Sequence, residues 1–447
     1  MKKLFLVLLF LNTAFLLAQE KTLEDFLKIS QEDLKKYSLA ELTKLDPVKD
    51  QEELENIFDA IKGEPNQYLF LNNISRLSLT QATVLSSFQG KRLYLDGLQQ
   101  INEPIAKAFT QTENFVLILS LDGLQHIEAT IAKALIKYSK LELSLNGLKK
   151  IDEETTQILA QFTGEKLSLN GLQQINEPIA KALALFKGHL SLNGLSQIDE
   201  VTAKALSQYE GYYLSLNGLQ RINEAVAKAL AQFQGEKLSL KGLKQIDEAV
   251  AKALTQFKGR EFYLNGIQQI DEAVARALAL LKCSLSLNGL KNINEAEAKV
   301  LALFQGGALE LNGIQQIDKS MAKALVLFQV PGSFHLNGLQ QIDETIAETL
   351  AQLKCTGLSL NGLQQIDEPT TKALVQFQGS WLSLNGLKEI DEAVAKALSL
   401  FNGGELGLKL RGLQQIDEAS AKALAQIDWK IDTTAKIKEQ LYKNLDE

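Results

Sequence analysis

Histidines, cysteines and carboxylates are the side chains of this 447-residue sequence that could hold a metal or move a proton. The three histidines, His126, His189 and His335, fall in different units of an internal repeat. Units several coils apart cannot bring their imidazoles together. The spacing therefore predicts neither a metal site nor a histidine-based catalytic triad.

The two cysteines, Cys283 and Cys355, are separated by the length of three repeats. Stacked strands about 4.8 Å apart would place them about 14 Å from each other, whereas the Cα atoms of a disulfide lie within about 7 Å. We therefore predict no disulfide between them. We interpret both as small apolar side chains that lie just before a strand.

Acidic pairs such as Asp152-Glu153 and Asp199-Glu200 contain the groups of a general acid and base. They recur in nearly every repeat, directly before a helical pattern, so we interpret them as helix caps. The sequence also contains no Walker loop, no GxGxxG after a strand and no HExxH motif. These observations predict no catalytic residue, no metal ligand and no cofactor, and they leave an enzyme as a remote alternative.

One repeated unit supplies the elements that position these side chains, for example Leu167-Ser-Leu-Asn-Gly171-Leu-Gln-Gln-Ile175 and the residues after it. Alternation in Leu-x-Leu is typical of a short strand with one buried face, and Asn-Gly indicates a turn because glycine tolerates positive φ. The glycine recurs fourteen times, mostly every 24 residues, at Gly97, Gly123, Gly147, Gly171, Gly194, Gly218, Gly242, Gly266, Gly289, Gly313, Gly338, Gly362, Gly386 and Gly412.

The second half of each unit has the pattern of an amphipathic helix. In the unit that contains Ala251, Leu254 and Phe257, these three side chains share one face and are expected to be buried. Lys252 is expected to face water. Gly259, after the helix, is expected to stop it in the left-handed conformation. The repeat therefore predicts a strand, a turn and a helix in every unit.

Two polar residues recur in the strand and its turn. The residue between the leucines is usually serine, as at Ser168, and we expect it to point outward from the strand. The asparagine before the glycine, as at Asn170, would stack from coil to coil and hydrogen-bond along the stack or hold the turn. A row of asparagines that faces a ligand or ice is the alternative, and the scarcity of threonine argues against ice binding.

These units resemble the leucine-rich repeat family, and most closely its cysteine-containing, ribonuclease-inhibitor-like subtype. The resemblance covers residues 69 to about 425. The sequence departs from the family at Leu172, where Cys or Asn is usual, and at Gly164, where a leading Leu is usual. Its units are also about two residues shorter. The resemblance implies a concave parallel sheet that binds partners, usually proteins.

The repeat length predicts the fold class. A strand, a turn and a helix in 24 residues indicate an α/β fold, a right-handed βα solenoid of about 15 coils in a horseshoe or superhelix. We predict the solenoid at 67–427, an N-terminal helical cap at 19–66 and a C-terminal helical cap at 428–447. Caps are expected because the end coils would otherwise expose apolar core.

Residues 1–18 have the pattern of a bacterial-type secretory signal peptide, with Lys2 and Lys3 before an apolar run that ends at Ala18. A membrane anchor is the alternative, but the run is short for a span and contains Asn12. No later segment has 18 continuous apolar residues, so we expect no membrane span in the mature chain. The net charge of −7, without a basic stripe, argues against a nucleic-acid partner.

Aromatic residues interrupt the serines of the strand, and exposed aromatics on a sheet often anchor partners. The predicted partner-binding residues are Tyr94, Tyr213, Tyr263, His335 and Trp381. We expect an exported protein, located in the periplasm, on the cell surface or outside the cell, that binds a protein or cell-surface ligand as an adhesion or scaffold module. A passive structural spacer or surface-layer component is the alternative, because the strand face has little variety from coil to coil.

Overall fold

The computed structural model describes most of the repeat region in two compact units. The described residues are 68–72, 74–86, 91–110, 118–137, 141–328, 332–404, 406–427 and 431–443. The predicted signal peptide at 1–18 and the predicted N-terminal cap at 19–66 lie outside them. The units divide between Ser215 and Leu216 and are called the N-terminal unit and the C-terminal unit.

In the described part of the N-terminal unit, seven parallel strands pair in the order of the sequence, and helices connect them. The strands are β1 (Tyr68–Phe70), β2 (Arg92–Tyr94), β3 (Ile118–Ser120), β4 (Glu142–Ser144), β5 (Lys166–Ser168), β6 (His189–Ser191) and β7 (Tyr213–Ser215). The helices are α1 (Leu79–Ser86), α2 (Glu103–Ala108), α3 (Ala129–Leu135), α4 (Glu153–Leu159), α5 (Glu177–Leu183) and α6 (Glu200–Ser207).

Among its described residues, the C-terminal unit repeats this order with nine parallel strands. The strands are β8 (Lys237–Ser239), β9 (Glu261–Tyr263), β10 (Ser284–Ser286), β11 (Ala308–Glu310), β12 (Ser333–His335), β13 (Gly357–Ser359), β14 (Trp381–Ser383), β15 (Gly407–Lys409) and β16 (Ile431–Asp432). The helices are α7 (Glu224–Leu230), α8 (Glu248–Leu254), α9 (Glu272–Leu278), α10 (Glu295–Leu301), α11 (Lys319–Leu325), α12 (Glu344–Leu350), α13 (Glu368–Leu374), α14 (Glu392–Leu398), α15 (Glu418–Ala425) and α16 (Ala435–Lys443).

This order confirms the predicted α/β class and the βα solenoid. Each coil buries the leucines of its strand against its helix, and Ala251, Leu254 and Phe257 are buried as expected while Lys252 is exposed. Phenylalanines that follow the helices stack between coils; the ring centroids of Phe233 and Phe257 are 6.3 Å apart. The core is therefore a layer of repeated apolar positions between strands and helices in each unit.

The acidic pairs cap the helices, as the sequence predicts. Asp152 precedes α4, and its carboxylate accepts hydrogen bonds from the Thr155 backbone N–H at 2.7 Å and the Thr155 hydroxyl at 2.9 Å. These hydrogen bonds, led by the one from the backbone, lower the pKa of Asp152. Asn102 and Asn176 cap α2 and α5 in the same way, with a proline in the first turn of each helix.

The helices end sooner, and their glycines serve another purpose, than the sequence predicts. Helix α8 ends at Leu254 with Thr255 as a right-handed C-cap, one turn short of the expected end. Gly259 does not adopt a left-handed conformation; among the described glycines, positive φ is found at Gly407 (φ 56°). A Cβ at 259 would overlap the Phe257 ring, so a close approach explains the glycine.

The glycine after the asparagine also differs from the expectation, because it does not supply a positive φ. At Gly171 a Cβ would lie 2.5 Å from the carbonyl oxygen of Leu148 and closer still to that of Asn146 in the preceding coil. Coils that stack at strand spacing leave no room for a side chain at this position. The glycine is required by contact between coils.

The last part of the chain continues the sheet. Strand β16 pairs in parallel with β15, and α16 packs after it, so residues 431–443 contribute a strand as well as a helix.

Both cysteines are buried free thiols, and burial raises the pKa of Cys283 and Cys355 to about 12. A thiol with so high a pKa is protonated at neutral pH and is therefore a poor nucleophile.

Candidate strand-face binding site

In the three-residue strands, the first and third residues lie on one face of the sheet and form two rows. The second residue points into the core and is buried, as at Leu167, whereas the first and third residues share the opposite face. We call this face the strand face, the first residues the first row and the third residues the third row. Any partner that approaches the strands meets these two rows.

Most of the third row is serine, and these serines are buried, which corrects the expectation that they are exposed. Ser168 is 2% exposed. Its hydroxyl donates to Asn146 Oδ1 of the preceding coil at 2.9 Å, and Asn170 Nδ2 donates to Ser168 Oγ at 2.9 Å. The serines are covered because the asparagine of the same coil and the asparagine of the preceding coil both lie against the hydroxyl.

The asparagines form a hydrogen-bonded ladder, as predicted for their structural role. Asn146 Oδ1 accepts from the backbone N–H of Asn170 at 2.8 Å as well as from Ser168. The same pair of bonds joins Asn337 to the next coil and Asn361 to the one after it. Each amide therefore satisfies a serine hydroxyl and a turn N–H that would otherwise be buried without partners.

The first row, in contrast, varies from coil to coil. In the N-terminal unit, from β2 to β7, it consists of Arg92, Ile118, Glu142, Lys166, His189 and Tyr213. In the C-terminal unit it consists of Lys237, Glu261, Ser284, Ala308, Ser333, Gly357, Trp381 and Gly407. Sequence reasoning considered mainly the residue between the leucines. The residue before the first leucine has the same orientation by the period of two, and that signal would have identified this row.

A charged and aromatic row crosses β4 to β7 in the N-terminal unit. Glu142 forms an ion pair with Lys166 at 2.7 Å, and the His189 and Tyr213 rings stack with centroids 4.1 Å apart at 17°. His189 Nε2 is buried and has no hydrogen-bond partner in the described part of the chain. Burial, and then the Lys166 charge, lowers the pKa of His189 to about 4, so its imidazole is neutral at pH 7.

In the C-terminal unit, Trp381 of β14 is the centre of a second group, the Trp381 cluster, with His335, Gly357 and Lys409. The indole occupies the space that a Cβ at Gly357 would fill, so the glycine on β13 lets the ring reach toward β12. The Trp381 and His335 centroids are 5.8 Å apart, and Lys409 Nζ lies 4.2 Å from the Trp381 ring centroid. Burial lowers the pKa of His335, Lys409 lowers it further, and Glu310 opposes both effects.

A third group surrounds Tyr263 of β9. Lys241 Nζ lies 4.7 Å from the centroid of the Tyr263 ring. The Tyr263 hydroxyl donates a hydrogen bond to Glu261, and Glu261 also forms an ion pair with Lys237 at 3.0 Å. Tyr263 is therefore held in place by a cation on its ring and a carboxylate at its hydroxyl.

The structure distributes the five predicted binding residues over both units. His335 and Trp381 come together in the C-terminal unit, and Tyr263 lies there on β9. Tyr213 stacks on His189 in the N-terminal unit, and Tyr94 is in the third row on β2, half-buried. Glu142, Lys166 and His189, which sequence reasoning did not assign to binding, complete the row beside Tyr213.

The helix side of each unit differs from the strand face. Its polar residues form ion pairs within one helix, as between Glu177 and Lys181 at 2.6 Å. Two residues after several helices, a leucine is exposed where other coils have glutamine; these leucines are Leu185, Leu280, Leu303, Leu327 and Leu400.

In the described ranges, no group of three or more His, Cys, Asp or Glu could hold a metal ion. The same ranges contain no helix of the length and apolarity needed to cross a membrane.

Comparison with known proteins gives structural similarity without a family assignment. No protein-family model matches the sequence, and no curated protein matches it. The yeast Rad7–Elc1 complex is 15% identical in the aligned chain, covers 78% of this chain and 96% of that one, and has a TM-score of 0.39. The Drosophila Toll–Spatzle complex is 14% identical, covers 78% of this chain and 45% of that one, and has a TM-score of 0.37. The fold assignment therefore rests on the order of strands and helices in the chain itself.

Proposed function

We propose that this protein is a non-catalytic protein-binding module, an adhesion or scaffold protein that contacts its partner through the strand face. The observation that carries this proposal is the contrast between the two rows. The serines of the third row are buried in a hydrogen-bonded ladder, whereas the first row and the residues that interrupt the serines, such as Tyr263 and Lys409, are varied and rich in charged and aromatic side chains. Variation at the accessible positions is what a specific binding surface requires.

The aromatic residues on this face are held in position before a partner arrives. Tyr213 stacks on His189, Tyr263 is fixed by Lys241 and Glu261, and Trp381 lies over Gly357. Side chains that are already ordered lose less conformational entropy on binding, so they are better anchors than isolated surface aromatics.

The structural-spacer alternative loses its main support. That alternative follows from low variety on the strand face, and the low variety is confined to the third row, where Ser168 and its equivalents are buried. A spacer would not need the Trp381 cluster.

We also propose export, on the pattern at residues 1–18, and the ribonuclease-inhibitor-like subtype, on the helix found in each complete coil. Amino-terminal sequencing of the native protein tests export, with Gln19 as the expected first residue.

Affinity capture from the envelope and extracellular fractions of the source cells tests the binding function. The full chain is one bait. A second bait carries Tyr213→Ser, Tyr263→Ser and Trp381→Ser, which change only the strand face. The matched control carries Leu185→Gln, Leu303→Gln and Leu400→Gln, because glutamine is the natural residue at this position in other coils, as at Gln256. Comparison of the two variant baits tests whether capture depends on the strand face or is lost whenever surface side chains are changed.

We expect a protein that the full chain and the leucine-to-glutamine bait capture and that the strand-face bait loses. If the leucine-to-glutamine bait loses the partner and the strand-face bait keeps it, binding is on the helix side and the proposal is overturned. Capture of no protein by any bait would favour the spacer.

A further inference from the structure

We propose that Lys409 and Trp381 form a carboxylate-binding subsite that takes an acidic peptide segment of the partner. This inference rests on the proposed function and specifies the chemistry of the partner at one place on the strand face. Lys409 is the residue that determines specificity, and Trp381 fixes the position of its ammonium group. The residues that carry the argument all lie in the C-terminal unit.

Lys409 differs from other cations of the strand face because it has no carboxylate partner in the described part of the chain. Lys166 forms an ion pair with Glu142, and Lys237 forms one with Glu261. Lys409 Nζ instead lies over the Trp381 ring at 4.2 Å. The quadrupole of the neutral indole attracts the ammonium group without neutralising its charge, which leaves the ammonium available for an anion.

The acid that the sheet places beside Lys409 is already occupied. Register pairs Lys409 of β15 with Asp432 of β16. The Asp432 carboxylate accepts two hydrogen bonds from the Arg411 guanidinium. Both Nε and Nη2 lie 2.8 Å from Asp432 Oδ2. A two-point contact with a guanidinium is stronger and more directional than a single contact with an ammonium. Arg411 therefore removes the acid that would otherwise neutralise Lys409.

Trp381 holds the ammonium group at a defined place. The indole covers the buried Gly357 and also contacts His335 and Lys409. His335 leans along its own strand, with Nε2 2.8 Å from Ser333 Oγ. Because these contacts order the ring, the lysine above it has few alternative positions. Binding of a carboxylate would therefore cost little side-chain entropy.

The same geometry favours a peptide over a sugar. A sugar ring binds tryptophan by lying on an open face of the indole, but here Lys409 lies over the ring and Gly357 lies beneath the indole. The accessible group is thus the ammonium ion. Glu310, which accepts hydrogen bonds from Ser286 Oγ at 2.7 Å and Asn288 Nδ2 at 2.9 Å, adds a negative charge three strands before Trp381. The subsite therefore suits a local cluster of Asp or Glu side chains, with the rest of the segment uncharged or basic near Glu310.

Binding of defined probes to the purified full chain tests the inference. The probes are an end-blocked deca-glutamate peptide, an end-blocked deca-glutamine peptide of equal length, and deca-galacturonate, which carries carboxylates on sugars. The variants are Lys409→Met, which keeps an apolar stem on the indole, and Lys409→Arg, which keeps the charge. Lys422→Met is the matched control, because Lys422 is exposed on α15. Dissociation constants are measured by calorimetry at low salt, and circular dichroism verifies each fold.

The inference predicts that deca-glutamate binds and deca-glutamine does not. Lys409→Met should weaken deca-glutamate binding by about tenfold or more, whereas Lys409→Arg and Lys422→Met should change it by less than about threefold. Equal binding by the wild type and Lys409→Met would overturn the assignment. Tighter binding of deca-galacturonate than of deca-glutamate would replace the peptide with a glycan and also overturn it.

The captured partner separates this inference from the proposed function. If the three strand-face serine substitutions abolish capture and Lys409→Met leaves it unchanged, the strand face binds its partner without this subsite. If Lys409→Met weakens deca-glutamate binding but the serine substitutions leave capture unchanged, the subsite exists and the proposed function fails.

Discussion

At the scale of single residues, the asparagine ladder shows how adjacent coils are matched to each other. Lys241 and Arg411 replace the ladder amide at two positions, and a cation cannot accept the hydrogen bond of a serine. At both positions, the third-row residue of the following coil is one that can bind a cation. Tyr263 receives Lys241 on its ring, and Asp432 pairs with Arg411. Substitutions on adjacent coils therefore compensate for each other.

A double-mutant cycle at Lys241 and Tyr263 tests this matching. Lys241→Asn alone provides an acceptor without a serine to use it, and Tyr263→Ser alone buries a hydroxyl beside an ammonium ion. Together the substitutions restore the Asn–Ser pair that Asn361 and Ser383 form at 2.8 Å. We expect the free energy of unfolding of the double variant, measured in urea, to exceed by about 1 kcal/mol the value that the two single effects together predict. Additive effects would contradict the matching.

His189 should make stability depend on pH. Its pKa is about 4 in the folded chain and about 6.5 when unfolded, so between these values only the unfolded chain binds the proton. The free energy of unfolding therefore falls as pH falls from about 6.5 toward 4. The charged groups nearest to it in the row are Lys166 and the Glu142 that pairs with Lys166.

Urea unfolding of the wild type and His189→Phe at pH 7.5 and pH 5.0 measures this contribution. Phenylalanine keeps an aromatic ring against Tyr213 and cannot take up a proton. We expect the wild type to lose more stability than the variant over this interval. An equal loss in both proteins would show that carboxylates alone cause the change.

At the scale of the strand, turn and helix, the distance between coils decides which residues are allowed. Gly171 is closed in by carbonyl oxygens of the preceding coil, and the buried serines and asparagines fill the space beside it. In coils such as that of α5, the N-cap side chain completes the coil by accepting a hydrogen bond from a backbone N–H in the first turn of the helix. A coil is therefore stabilised by contacts within itself and with its two neighbours.

Substitution of a ladder glycine should be costly even though its backbone is not left-handed. Gly171→Ala places a methyl group against the Leu148 and Asn146 carbonyl oxygens, which we expect to destabilise the chain by about 3 kcal/mol. Gly307→Ala is the control, because the nearest atom to a Cβ there is the movable Ser284 Oγ at 3.1 Å. Its cost should stay below about 1 kcal/mol. Similar costs in thermal or urea unfolding would refute the crowding explanation.

The sequence predicts the elements well because their signals are local and repeated. Alternation at Leu167 and Leu169, and caps such as Asp152, can be read without knowledge of distant residues. The burial of Ser168 could not be predicted as easily, because it depends on Asn146 of another coil. The contact of Trp381 with His335 depends on strand register and on the missing side chain at Gly357, neither of which a single unit contains.

At the scale of the whole molecule, each unit contains parallel strands, a layer of helices and a leucine core between them. Each unit also has its own group of ordered side chains on the strand face. The N-terminal unit has the row that ends at Tyr213, and the C-terminal unit has the Tyr263 group and the Trp381 cluster. The exposed leucines, such as Leu303, lie on the helix side. Strand face and helix side are thus the two surfaces on which a partner could bind.

Hydroxyl-radical footprinting of the full chain, alone and in complex with its captured partner, distinguishes these surfaces most directly. Mass spectrometry reports the oxidation rate of each aromatic and leucine side chain. The account predicts that the partner protects Tyr213, Tyr263 and Trp381, and that Leu185 and Leu400 are oxidised at the same rate in both states. Protection of the leucines, with unchanged oxidation of the three aromatic residues, would contradict binding through the strand face.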